Sequence, residues 1–158
     1  MKNSSLLLGA LLLAVPFTAC KKDDDKAPSK ADTLTAKSWQ LTASTITIVE
    51  PGSPTTTEDA YKALDDCEKD NFMKFNSNKV LELNEGKTKC QTSDPQVQSG
   101  SWDINADQTK LYLNNASMGG SLAAQMDIVE LSDSKLVLKS VVVEDGATAT
   151  YNLTFKAL

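Results

Sequence analysis

Side-chain oxygens that could bind a cation or act in acid-base chemistry are concentrated in one short stretch, at Asp65, Asp66, Glu68, Asp70 and Asn71. Carboxylate and amide oxygens bind hard cations such as Ca²⁺, and a pair of carboxylates can hydrolyse a glycosidic bond. The stretch lacks the glycine and regular alternation of a calcium-binding loop, and nothing else in the sequence marks a carbohydrate cleft. We interpret it as a solvated helix end that leads into a strand, and we predict neither a metal site nor catalytic residues.

The amino-acid composition excludes most other types of catalysis. The chain contains no His, which excludes a Ser-His-Asp or Cys-His nucleophile, an imidazole proton shuttle and a His-ligated metal. All 16 basic residues are Lys, so the bidentate guanidinium clamp on phosphate is missing as well. A net charge of -5 repels a nucleic-acid backbone. The sequence therefore predicts a protein that is not an enzyme, has no cofactor and does not bind nucleic acid.

The first 20 residues have the pattern of a secretion signal. Lys2 precedes an apolar segment over residues 6–17, and the small residues Thr18 and Ala19 lead directly to Cys20. This apolar segment is shorter than the ~20 residues that a membrane-spanning helix needs. We therefore expect the chain to be exported.

The four residues Phe17-Thr18-Ala19-Cys20 resemble a lipobox, the cleavage site of bacterial lipoprotein signal peptides. The resemblance implies a signal peptide over residues 1–19, a diacylglyceryl group on the sulfur of Cys20 and an acylated amine. Two or more acyl chains anchor a protein stably in a bilayer. The membrane, reached through a lipid anchor on Cys20, is thus the first predicted partner.

The number of cysteines agrees with this interpretation. Three cysteines leave one unpaired in an oxidising compartment, and acylation of Cys20 accounts for it. Cys67 and Cys90 then form the natural disulfide pair. Closing that loop should stabilise the fold by roughly 3 kcal/mol.

Residues 20–33 form a charged tether that contains Lys21-Lys22-Asp23-Asp24-Asp25-Lys26 and no apolar cluster to bury. Lysine followed by acidic residues directly after a lipidated cysteine is similar to the export signal that sends some Gram-negative lipoproteins to the outer face of the outer membrane. We expect an outer-membrane lipoprotein that faces the cell exterior. The alternative is that it faces the periplasm.

The rest of the chain, residues 34–158, is long enough for one domain and follows a period of two with frequent turn residues. One short helix is expected from a capping box at Thr55 and Glu58, with Ala60, Tyr61 and Leu64 on its apolar face. Eight strands are predicted, over residues 37–49, 70–75, 79–84, 97–105, 109–114, 122–131, 135–144 and 147–156.

Turn residues predict the register of three hairpins. Centring the last hairpin on Asp145-Gly146 pairs Val142 with Ala149, Ser140 with Tyr151, Leu138 with Leu153 and Leu136 with Phe155. Centring another on Ala106-Asp107 places Trp102 opposite Leu111 and Asp103 opposite Lys110. A turn at residues 76–78 directs Met73, Phe75, Leu81 and Leu83 inward and brings Cys67 close to Cys90.

Two strands are ambiguous in phase. The inward set of strand 122–131 is either Met126 and Ile128, or Asp127, Val129 and Leu131. In the first strand the inward set changes from Trp39, Leu41 and Ala43 to Ile46 and Ile48, which predicts a bulge or a sharp bend.

A closed sheet is the arrangement that best suits amphipathic antiparallel strands with short connections, because closure leaves no strand edge without hydrogen-bonding partners. The predicted fold is all-β, an eight-stranded antiparallel up-and-down β-barrel. A two-layer β-sandwich is the alternative.

The chain resembles the lipocalin-like domain of bacterial surface lipoproteins. The residues that carry the resemblance are the segments 34–41, 67–71 and 98–102 with Phe75, Cys90, Leu136, Leu138, Tyr151 and Phe155. Lipocalins have a Gly two residues before the Trp of the first strand, and this chain has Lys37 there. The resemblance implies an eight-stranded calyx with a ligand site in its mouth and no catalytic residues.

A barrel of eight strands either holds one small ligand or is filled by its own side chains. The predicted lining residues of a ligand site are Trp39, Trp102, Tyr112, Met126, Tyr151 and Phe155. Two functions follow: a lipid-anchored module that binds a small, largely apolar ligand, or a non-catalytic structural or protein-interaction domain at the outer surface of the bacterium.

Overall fold

The computed structural model describes residues 27–114 and 125–158. Cys20, the predicted signal peptide, most of the predicted tether and residues 122–124 of the predicted sixth strand lie outside these residues. In the described part no helix is long and apolar enough to cross a bilayer. The elements are α1 (Lys30–Thr35), β1 (Ser38–Val49), β2 (Thr56–Asp59), α2 (Asp66–Lys69), β3 (Phe72–Phe75), β4 (Val80–Asn84), β5 (Val97–Ile104), β6 (Lys110–Asn114), β7 (Gln125–Leu131), β8 (Lys135–Glu144) and β9 (Ala147–Ala157).

Eight of these strands form a closed antiparallel barrel. From β3 to β9 each strand pairs with the next in sequence, and β1 closes the ring by pairing with both β3 and β9. The short strand β2 pairs only with the second half of β1 and extends the sheet beyond the ring. The predicted up-and-down barrel is confirmed, and the sandwich is not what the chain forms.

The hairpin of β8 and β9 has the predicted register. Val142 lies opposite Ala149, and Leu136 lies opposite Phe155. Asp145 and Gly146 have φ values of 49° and 81°, as a two-residue turn of type I′ requires at both positions. Alternation then buries Leu136, Leu138 and Phe155 inside the barrel.

The predicted register of β5 and β6 is wrong by two residues. Trp102 lies opposite Leu113, and Asp103 lies opposite Tyr112. The connection is longer than the predicted two-residue turn because the side-chain oxygen of Asn105 accepts hydrogen bonds from the N–H groups of Thr109 and Lys110, both at 2.8 Å. A shift of two residues keeps every side chain on its side of the sheet, so Trp102 and Leu111 are both still buried.

The bend predicted in β1 is present as a register shift between Leu41 and Ala43. Before the shift, Trp39 is buried and Leu41 packs against the core. After it the inward position falls on Ser44, which is buried, while Ala43 is exposed. The prediction that Ala43 faces inward is therefore wrong, since the bulge comes before Ala43 and not after it.

In β7 the inward residues are Met126 and Ile128, which are 1% and 8% exposed, while Val129 is 60% exposed. A bulge between Ile128 and Glu130 then reverses the phase and places Leu131 opposite Leu136, against the core. The first predicted alternative is therefore confirmed for Met126 and Ile128, and of the second only Leu131 packs against the core, while Asp127 and Val129 are exposed.

The helix predicted after the first strand is not formed. Residues 56–59 belong to β2, where Glu58 lies opposite Ile46. A short helix, α2, begins at Asp66 instead. The N–H of its N-cap residue, Asp65, donates a 2.8 Å hydrogen bond to the carboxylate of Glu68. Thr55 and Glu58 have the same capping-box spacing as Asp65 and Glu68 of α2, but residues 56–59 pair with β1 and therefore form a strand.

One end of the barrel, called the closed end below, is covered by α1. This helix begins at Lys30, within the segment interpreted as tether, and its N-cap Ser29 accepts a hydrogen bond from the N–H of Asp32. Leu34 is completely buried, and the backbone N–H of Lys30 donates a 2.6 Å hydrogen bond to the side chain of Gln108. Phe75 and Trp102 pack edge to face behind it, with ring centroids 5.3 Å apart. The core therefore fills this end of the barrel.

Candidate functional site

A cavity of about 470 Å³ occupies the half of the barrel away from α1 and is partly open to solvent. Inward positions of six of the strands supply its apolar wall: Trp39, Leu41, Met73, Leu83, Leu113, Leu138, Leu153 and Phe155. Because these positions alternate with outward ones, the barrel itself creates an apolar interior.

Trp39 forms the floor of the cavity. Its indole is fully buried, and Nε1–H donates a 3.0 Å hydrogen bond to the backbone oxygen of Leu34 in α1. The polar atom of the ring is thus satisfied on the closed side, which leaves the ring itself to line the cavity. Trp39 separates the filled half of the barrel from the empty half.

The structure brings two of the six predicted lining residues to the cavity, Trp39 and Phe155. Trp102 and Met126 are buried, 3% and 1% exposed, but both lie outside the cavity wall. Tyr151 is half-buried at an inward position, also outside the wall. Tyr112 lies on the outer face with 41% of its surface exposed, so its assignment to the lining is corrected.

The mouth of the cavity is formed by a segment that we call the rim strap, residues 64–71. Leu64, Glu68 and Asn71 of the rim strap line the cavity together with Phe72. Beside them, at the ends of the neighbouring strands β4 and β5, lie Asn84, Glu85 and Gln98. Sequence reasoning did not assign these residues to the site, although the predicted Cys67–Cys90 pair implied that the two segments meet.

That disulfide is present and is confirmed. It joins Cys67 in α2 to Cys90 in the connection between β4 and β5, with the two Cα atoms 5.3 Å apart. The covalent link spans 23 residues of sequence and holds the rim strap against the neighbouring connection.

Asp70 and Asn71 reinforce this link. One oxygen of the Asp70 carboxylate accepts hydrogen bonds from the N–H groups of Lys87 (2.9 Å) and Thr88 (3.0 Å). The Asn71 amide, with its nitrogen turned toward the backbone, donates to Glu85 O (2.9 Å) and Cys67 O (3.1 Å). The acidic stretch seen in the sequence therefore serves to fix the mouth of the cavity.

Gly86 is required where these segments meet. Its φ is +66°, and a Cβ atom at this position would collide with the backbone of Asp70. Both the left-handed conformation and the close approach favour glycine over any other residue.

The electrostatics of the described residues give no sign of acid-base or metal chemistry at the mouth. No three His, Cys, Asp or Glu side chains among them are placed to hold a metal ion. The lowered carboxyl pKa values in this part of the chain are those of Asp59, beside Lys62, and Asp103, beside Lys79. Neither residue lines the cavity.

Searching solved structures gives a lipocalin-like protein from Bacteroides uniformis ATCC 8492, with 13% identity, coverage of 75% of this chain and 96% of the other, and a TM-score of 0.37. It also gives bovine odorant binding protein in complex with a selenium-containing odorant, with 14% identity, coverage of 85% and 76%, and a TM-score of 0.38. A comparison with curated proteins gave no match.

The family model described as "lipocalin-like domain" matches residues 35–138, which is more than half of the chain. The match spans β1 to the middle of β8 and includes the cavity floor, the rim strap and the disulfide. The chain belongs to the lipocalin-like domain family.

Proposed function

We propose that this protein is a lipid-anchored lipoprotein of the bacterial cell envelope whose barrel binds a small, largely apolar molecule. The observation that carries the proposal is the cavity of about 470 Å³ with an apolar floor and wall. Its volume lies within the range of about 300–1,000 Å³ that is usual for small-molecule sites.

Burial of apolar surface supplies the affinity in such a site, at roughly 25 cal/mol for each Å² removed from water. The cost of ordering the protein is low because the wall consists of paired strands and the mouth is held by the Cys67–Cys90 disulfide. A preformed apolar cavity with a restrained mouth suits reversible binding of one compact ligand.

The anchor and the location complete the proposal. The lipobox-like residues before Cys20 and the acidic tether after it support lipidation and transfer to the outer face of the outer membrane. Helix α1 begins at Lys30, so the nine residues 21–29 would separate the lipidated cysteine from it. If the domain is protected from protease added to intact cells, the outward orientation is wrong. If a Cys20→Ser variant is still labelled by a radioactive fatty acid to the same extent as the unmodified protein, the lipid anchor on Cys20 is wrong.

Binding is tested with the neutral fluorescent probe N-phenyl-1-naphthylamine and by native mass spectrometry of protein purified from its own cells. We expect the probe to bind, and Leu153→Trp to weaken its binding at least tenfold because the indole fills the cavity that Leu153 lines. Tyr112→Trp, on the exposed outer face, is the matched control and should bind the probe normally.

If neither the probe nor any co-purified small molecule is bound, the proposal is wrong. A structural or protein-interaction domain is then the remaining function.

A further inference from the structure

The polar residues at the mouth of the cavity indicate which head group its ligand carries, an inference that rests on the proposed function. Five polar side chains line the cavity: Glu68, Asn71, Asn84, Glu85 and Gln98. The charged members of the lining are both carboxylates, and no Lys is among the lining residues of the described part. The mouth is therefore negative where a bound apolar molecule would end.

The two asparagines are already used by the protein. The side-chain oxygen of Asn84 accepts hydrogen bonds from the Gly86 N–H (3.0 Å) and the Gln96 amide (3.1 Å). Asn71 donates to the backbone of Glu85 and Cys67. Neither asparagine side chain therefore has all of its hydrogen-bonding groups available for a ligand.

The acidic residues keep acceptor capacity. Glu85 is half-buried, and its carboxylate forms no hydrogen bond or ion pair with the described residues. Glu68 uses one oxygen for the N–H of Asp65 at 2.8 Å, and the other oxygen remains. Gln98, half-buried opposite Leu83, adds an amide that the described part of the chain leaves without a partner.

The lysines around the mouth do not neutralise these carboxylates. Lys69 pairs with Asp66 at 3.4 Å, and Lys62 pairs with Asp59 at 3.0 Å. Lys89 donates a 2.6 Å hydrogen bond to the backbone oxygen of Asp94, and Lys87 is exposed on the turn beyond Glu85. Ion pairs to Glu68 or Glu85 are not formed within the described residues.

We propose that the ligand is an apolar amine: a molecule with an aliphatic or aromatic body for the cavity and a protonated amino group that meets Glu85 and Glu68 at the mouth. An ammonium group donates up to three hydrogen bonds, which matches the acceptors of these carboxylates and of Gln98. An apolar carboxylic acid of the same length places a like charge beside them and is disfavoured. The site thus selects against fatty acids.

The test compares decylamine, decanol and decanoate by displacement of N-phenyl-1-naphthylamine at pH 7.4, at concentrations where the chains do not aggregate. An exposed ion pair raises the affinity for the amine over that for the alcohol by up to about fivefold. Repulsion between decanoate and the two carboxylates lowers the affinity for the acid further. We therefore expect the amine to bind on the order of tenfold more tightly than the acid, with the alcohol between them.

The double variant Glu68→Gln/Glu85→Gln should abolish this preference, measured as the ratio of the affinity for decylamine to the affinity for decanol in the same variant. Asp133→Asn removes one exposed carboxylate in the turn between β7 and β8 at the closed end; it is the control for a change in net charge away from the cavity and should keep the preference. Equal or tighter binding of decanoate by the unmodified protein overturns the inference and leaves the proposed function intact. Failure of all three chains and of the neutral probe to bind overturns both.

Discussion

At the scale of single residues, Lys79 is held between a ring and a carboxylate on the outside of the closed end. Its ammonium nitrogen lies 4.3 Å from the centre of the Trp102 ring and 3.0 Å from an oxygen of Asp103. The Asp103 carboxylate also accepts a 2.9 Å hydrogen bond from the N–H of Ile104. The hydrogen bond from Lys79 is the larger cause and the one from Ile104 the next, and together they hold the pKa of Asp103 below its usual value.

We predict that Lys79→Gln raises the pKa of Asp103 toward its usual value. A carboxyl pKa that is lower in the folded state contributes stability above the pKa of the unfolded chain, and this contribution is lost as the pH falls through the folded value. The variant should therefore lose less stability on acidification below about pH 4. Carboxyl ¹³C titration by NMR and urea unfolding at several pH values measure the two effects. Lys74→Gln, at an exposed position of β3, is the control, and an Asp103 titration that is the same in Lys79→Gln and the unmodified protein would contradict the prediction.

At the scale of elements, helix α1 acts as the plug of the closed end despite having only 6 residues. Such a short helix is not stable alone, so it depends on what it packs against. Leu34 is inserted into the core, and the Leu34 carbonyl accepts the hydrogen bond of the Trp39 indole. The helix therefore connects the segment that precedes β1 to Trp39, which forms the floor of the cavity.

We predict that Leu34→Ala lowers the free energy of unfolding by about 2–5 kcal/mol, the usual cost of truncating a fully buried leucine. The control is Leu158→Ala, because Leu158 is 57% exposed and its backbone hydrogen bond to Ser38 survives the change. That control should change stability by less than about 0.5 kcal/mol. Equal losses in the two variants, measured by urea unfolding, would show that α1 is not part of the cooperative fold.

The elements also show where sequence reasoning reached its limit. Alternation and the Asp-Gly turn were enough to predict the β8–β9 register residue by residue. At the β5–β6 turn the side chain of Asn105 stabilises a longer connection than the composition of the turn suggested. Strand β2 was missed because it pairs with the extended end of β1 outside the ring, a tertiary contact that a local capping pattern does not report.

The same limit applies to the site. Alternation with a period of two predicts whether a side chain faces inward. It does not predict the position of that side chain along the barrel axis. Trp39 and Trp102 both face inward, yet one forms the cavity floor and the other lies in the filled end. Tyr112 stands between the buried residues Leu111 and Leu113, so its outward position could have been read from the alternation. At the mouth, Leu64, Glu68, Asn71 and Glu85 lie outside the strands, where a period of two does not apply.

At the scale of the whole molecule, the two ends of the barrel are secured in different ways. The closed end is held by apolar packing beneath α1, whereas the mouth is held by the disulfide and by the hydrogen bonds of Asp70 and Asn71. A covalent link can stabilise the mouth without filling it with side chains. The cavity can therefore stay empty of protein while its entrance keeps one shape.

We predict that Cys67→Ser/Cys90→Ser, a double change that leaves no free thiol, lowers the free energy of unfolding by roughly 3 kcal/mol, as expected for a link that closes a loop of about 20 residues. It should also weaken binding of N-phenyl-1-naphthylamine, because Leu64, Glu68 and Asn71 of the rim strap line the cavity and lose their covalent restraint. The affinity is measured at a temperature where the variant is fully folded, so that loss of folded protein does not contribute. A variant that is destabilised but binds the probe with unchanged affinity would show that the disulfide serves stability alone and that the hydrogen bonds of Asp70 and Asn71 are sufficient to shape the mouth.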